Sequence, residues 1–83
     1  MLKANVYVTL KEGVLDPQGE AVKKSLHVLD HENVNEVRIG KFVEVWINSN
    51  DKDQAAKEME EMSDKLLANP VIENFRVEIV EVD

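Results

Sequence analysis

The spacing of apolar residues switches period four times along 83 residues, and the order of those switches restricts the fold more than any other feature. From residue 4 to 10, Ala4, Val6, Val8 and Leu10 alternate with Asn5, Tyr7 and Thr9, the pattern of a half-buried strand. Asp16-Pro17 then reads as a helix start: Asp16 is pushed to extended angles by the proline, as an N-cap requires, and Pro17 fits the first helical position. Gly19 occupies the place where a capping box would have Glu or Gln. This helix is expected to run to about Asp30, with Val22, Ser25, Leu26 and Leu29 on its inner stripe and Ala21 beside it.

Beyond residues 31–33, Val37 and Ile39 alternate with Glu36 and Arg38, which predicts a second strand. Gly40 reads as a turn, and a third strand follows with Val43, Val45 and Ile47 on one face and Phe42, Glu44 and Trp46 on the other. A three-residue loop, 40–42, keeps Ile39 and Val43 on one face, whereas a two-residue turn would pair Ile39 with Phe42; the longer loop is the preferred register. Ser49, Asn50 and Asp51 compete to cap a second helix, whose inner stripe is Ala55, Met59, Met62 and Leu66 and whose end is Asn69-Pro70. A last strand is expected from about 74 to 82, with Phe75, Val77 and Ile79 facing one way. Residues 34–39 and 72–77 echo each other faintly.

The predicted order is βαββαβ in one domain, residues 1–83. Two right-handed βαβ units of this kind form an α+β ferredoxin-like two-layer sandwich, a four-stranded antiparallel sheet with two helices on one face. Val6, Val8, Leu26, Leu29, Val43, Val45, Ile47, Met59, Met62, Leu66 and Val77 are the expected core. A chain this short buries only about 60–65% of its unfolded surface, so help from self-association is expected.

Charge and composition exclude several functions. Net charge is −7, concentrated in residues 49–83, where four Lys/Arg stand against ten Asp/Glu. Phosphate backbones and anionic lipid repel such a chain, so neither nucleic acid nor membrane is an expected partner. There is no cysteine, hence no disulfide or thiolate site, and a reducing, cytoplasmic location is the simple expectation. No stretch approaches the roughly 20 apolar residues of a membrane span, and the first residues lack the pattern of an export signal.

Catalytic constellations are missing. His27 and His31 have the i, i+4 spacing of metal ligands, but His31 falls at the helix end and spacing supplies no third ligand. Glu58, Glu60, Glu61 and Asp64 read as a solvated face with ion pairs such as Glu61–Lys65. The glycines are isolated, so no phosphate-cradling loop exists, and no serine has an elbow motif or a base. Expected catalytic, cofactor-binding and metal-ligating residues are therefore none. What remains is a surface: Tyr7, Phe42 and Trp46 share the parity of the uncovered sheet face, with Arg38 and Arg76 as further interface candidates. RNA-recognition domains stack bases on such a face, but the glycine–aromatic spacing of their strand motif is absent and the charge is wrong. A protein-docking face fits better. A small ligand-sensing regulatory domain is the alternative, on fold analogy alone.

Residues 7–19 (YVTLKEGVLDPQG), 37–41 (VRIGK) and 65–73 (KLLANPVIE) resemble the PurS family, the small subunit of phosphoribosylformylglycinamidine synthase in purine biosynthesis, and the likeness runs through nearly the whole chain. The resemblance implies a non-catalytic subunit, itself homo-oligomeric. It bridges a glutaminase subunit, which releases ammonia from glutamine, and a large synthetase subunit. The latter uses ATP and magnesium to activate the formyl amide oxygen of formylglycinamide ribonucleotide, which ammonia replaces to give the amidine. No cofactor is implied on this chain.

Overall fold

A computed structural model describes residues 1–82. Its elements are strand β1 (Leu2–Leu10), helix α1 (Pro17–Val28), strand β2 (Gly40–Ile47), helix α2 (Lys52–Met62), a π-helical turn (Ser63–Leu67) and strand β3 (Glu73–Glu81). The sheet has three strands in the order β2-β1-β3, both pairings antiparallel.

β1 is the centre of the molecule. Its predicted alternation is realised: Leu2, Ala4, Val6 and Val8 are buried, and Val6 is paired with Val43 on one side and Val77 on the other. Val43, Val45 and Ile47 of β2 and Phe75, Val77 and Ile79 of β3 extend this apolar face at half burial. α2 covers it through Ala55 and Met59, and Ala68 closes the end. Asp51 caps α2 by accepting from the Gln54 N–H at 3.1 Å, and the Ser49 hydroxyl holds the Asp51 N–H at 3.1 Å.

The fourth strand is absent, which corrects the predicted sheet. Residues 34–39 form no strand and pair with none; two of their backbone groups are bonded to α1 and its cap instead. The Ile39 N–H donates to Asp16 Oδ2 at 2.8 Å, and His27 Nε2–H donates to the Val34 carbonyl at 2.8 Å. The Val37 carbonyl sits so close to Gly19 that a Cβ there would collide with it; only glycine admits this approach. The 40–42 hairpin loop falls with the strand it served: Gly40, Lys41 and Phe42 all belong to β2, opposite Thr9, Val8 and Tyr7.

The placement of α1 is the second correction. Asp16 caps it as expected, accepting from the Gly19 N–H at 2.9 Å, with Pro17 in the first turn. Yet α1 does not lie on the sheet. None of its residues joins the core cluster; Leu26 is half-buried, and Val22, Val28 and Leu29 are exposed. Helix and returning segment form an arm that projects from the sheet. The radius of gyration is accordingly 16.2 Å, against about 12 Å for a compact domain of this length.

The third correction concerns α2. After Met59 the inner face passes to Ser63, four residues on at ordinary α-helical spacing, rather than to Met62. Beyond Ser63 the ladder changes from i→i−4 to i→i−5, seen in the Ala68 N–H bond to the Ser63 carbonyl at 2.8 Å, and Leu66 is left 82% exposed. Ser63 is fully buried with no partner for its hydroxyl. Two substitutions test this packing. Met59→Ala should cost about 2–5 kcal/mol. Ser63→Ala should be neutral or stabilising, since it removes an unsatisfied polar group. Urea unfolding of the two variants checks both.

Candidate protein-docking surface

The face of the sheet opposite α2 is uncovered and carries the aromatic residues. Pairing of Tyr7 with Phe42 and with Arg76 places the three side by side across the strands. The Tyr7 and Phe42 rings stack with centroids 5.1 Å apart and planes inclined at 29°. The Arg76 guanidinium lies over the other side of Tyr7, 4.2 Å from its centroid. The row is thus a sandwich of ring, ring and cation, held by dispersion and by attraction between the cation and the π-face. Four residues along β2, Trp46 receives the Lys3 ammonium 5.3 Å from its ring, and Lys3 also pairs with Glu44. Between the aromatic ends, the Asn5 amide donates to Glu78 at 3.1 Å.

These contacts order the rings without hiding them. Phe42 is 52% and Trp46 57% exposed. A domain leaving two large aromatics so open and already ordered by neighbours has the makings of an interface: rigid rings in the middle and charged groups around them.

Of the residues singled out from the sequence, Tyr7, Phe42, Trp46 and Arg76 come together on this face. Arg38 does not. It lies exposed on the segment returning from α1, near enough to Asp16 to act on its carboxylate. Lys3, Asn5 and Glu78 were not singled out, although their strand parity places them on the same face as Tyr7. His27 is tied to the Val34 carbonyl, and no group of three or more potential metal ligands occurs among the described residues. No helix there is long and apolar enough to cross a membrane.

Asp16 joins the two limbs of the arm. One carboxylate oxygen accepts from Gly19, inside α1, and the other from Ile39, next to β2. These two backbone N–H bonds, the Gly19 bond foremost, with Arg38 nearby, hold the Asp16 carboxyl below its ordinary range. A depressed carboxylate pKa contributes stability that is present above the unfolded value and is lost as pH falls through the folded one. The amide proton shifts of Gly19 and Ile39 should therefore titrate together, with a midpoint below the ordinary aspartate value. Asp16→Ala should accelerate exchange at both amides and leave those of β1 protected. NMR observation of both amides checks this.

In class, the molecule is a small α+β domain with an open aromatic sheet face and a projecting helical arm. Comparison with known proteins gives the family. A model of PurS, phosphoribosylformylglycinamidine (FGAM) synthase, matches residues 3–81. The chain is 51% identical to the phosphoribosylformylglycinamidine synthase subunit PurS of Bacillus subtilis, over 99% of this chain and 96% of that one. It is 36% identical to the same subunit of Methanocaldococcus jannaschii over the whole of both. The solved M. jannaschii PurS structure superposes with a TM-score of 0.89 at 37% identity, covering all of both chains. A chain of the PurLQS structure from Thermotoga maritima superposes with a TM-score of 0.84 at 26% identity, over 96% of this chain and 99% of that one. The chain belongs to the PurS family, as its sequence motifs indicate.

Proposed function

We propose that this chain is the small, non-catalytic subunit of phosphoribosylformylglycinamidine synthase. It acts in the cytoplasm as a homo-oligomer that holds a glutaminase subunit and a large synthetase subunit together. Family membership across residues 3–81 carries the reading. The relatives are named as subunits of that synthase, and one similar chain comes from a structure called PurLQS.

The chemistry explains why such a subunit is needed. Ammonia freed from glutamine is mostly protonated at neutral pH, and ammonium has no lone pair with which to attack. Confinement between two closely held active sites delivers the reactive form before solvent protonates or dilutes it. The synthetase partner supplies ATP and magnesium, and activates the formyl amide oxygen that ammonia displaces. This chain supplies geometry. Its ordered aromatic face, with Tyr7, Phe42, Trp46 and Arg76, is the surface that loses exposure when the subunit packs into its assembly.

The test is a reconstitution with two nitrogen sources. Omitting this chain from the mixture of glutaminase and synthetase subunits should abolish most glutamine-dependent amidine formation and affect the ammonium-dependent rate far less. Trp46→Ser together with Phe42→Ser should reproduce part of that loss. Equal glutamine-dependent rates without the chain would refute the adaptor role. An equal loss with ammonium would show that the chain is needed to build the synthetase site.

A further inference from the structure

The sequence holds 17 Asp and Glu against ten Lys and Arg, so a cation here has carboxylates to spare. All four ion pairs among the described residues use lysine. Arg76 enters none of them. It is exposed, and its guanidinium lies 4.2 Å from the centroid of the Tyr7 ring. The same face offers it Glu78, two residues along β3, but the Asn5 amide donates to that carboxylate at 3.1 Å.

We propose that Arg76 anchors this face to a foreign subunit by taking one of that subunit's aspartate or glutamate side chains. The inference rests on the adaptor reading above and names the chemistry by which the aromatic face recognises its partner.

Three observations carry it. First, the cation is prepared for a carboxylate. Tyr7 engages it through a ring face, which leaves the planar fork of five N–H donors for a bidentate acceptor. Tyr7 is braced in turn by Phe42, 5.1 Å away, so the side chain is ordered before a partner arrives and loses less freedom on binding. Second, the setting is apolar. Phe42 and Trp46 stand open on the same face, and large rings around an arginine exclude water from the pair it makes. Third, the charges favour a foreign surface over a second copy. The row beside Arg76 reads Glu44, Asn5, Glu78 across the three strands. A second copy centred face to face would lay that row on its own image and bring the Glu44 and Glu78 carboxylates of both copies together, in chains that each carry −7. A foreign surface with its acid opposite Arg76 and basic groups opposite Glu44 and Glu78 complements the face instead.

Arg76→Lys makes the test direct, because it keeps the charge and supplies an amine that a carbodiimide joins to a carboxylate in contact with it. The Arg76→Lys chain is assembled with the glutaminase and synthetase subunits, coupled, and mapped by mass spectrometry. The expected product is an amide between position 76 and an Asp or Glu of one of those two subunits. In calorimetric titrations Arg76→Ala should weaken assembly at least about tenfold and Arg76→Lys by less. Lys57→Ala, which removes an exposed cation from α2 on the other side of the sheet, should leave it unchanged. An amide from position 76 to this chain or to a second copy of it, no amide in an intact assembly, or an unaltered affinity of Arg76→Ala overturns the proposal and leaves the adaptor reading standing. Failure of the unsubstituted chain to assemble with the two subunits overturns both.

Discussion

The double pairing of β1 is the constraint on which the rest of the structure depends. Every residue from Leu2 to Thr9 has a partner on each side, and the side chains of Ala4, Val6 and Val8 are completely enclosed. A central strand with small and β-branched residues on its inner face allows α2 to approach closely, and Met59 fills the space that remains. The outer face of the same strand sets Tyr7 between Phe42 and Arg76. One register therefore fixes the core and the docking surface together, and a slip of one residue would exchange them.

The core so formed is small for the length of chain. Its enclosed apolar side chains all come from β1, α2 and Ala68. About a third of the chain, from the loop after β1 to the residue before β2, lies outside it. That division has a physical reason. Asp16 and Gly19 bind the connector to α1 more tightly than either is bound to the sheet, so the arm behaves as one piece and the sheet as another. This division leaves apolar residues of the arm, Val22, Val28 and Leu29 among them, exposed.

Much of this was legible in the sequence, and the failures are instructive. The strand alternation in residues 4–10 and 43–47 placed Tyr7, Phe42 and Trp46 on one face correctly, because period two admits only two faces. The cap at Asp16 was readable because its chemistry is local, whereas Ser49, Asn50 and Asp51 competed for the second helix until the structure assigned Asp51. Residues 34–39 misled because their pattern matches that of residues 72–77, the latter leading into β3. Only the nonlocal demands of Asp16, Gly19 and His27 keep the first copy out of a sheet. The stripe of α2 misled in the same way: spacings of four, three and four assume an uninterrupted α-helix, and nothing in residues 63–67 announces a π-helical turn. Arg38 was grouped with the aromatic face through the echo with Arg76, and it parted from that face when the strand that would have carried it did not form. The family resemblance was untouched by these errors, since it rests on residues 7–19 and 65–73 and not on their secondary structure.

The central claim is that this chain works through its open aromatic face, as a docking surface within the synthase. Hydroxyl-radical footprinting of the free chain and of the chain reconstituted with its glutaminase and synthetase partners tests it most directly. The account predicts that oxidation of Trp46 and Phe42, both more than half exposed in the free chain, falls several-fold on assembly, while that of exposed Val71 at the far turn changes little. Unchanged oxidation of Trp46 and Phe42 in a fully active complex would contradict it.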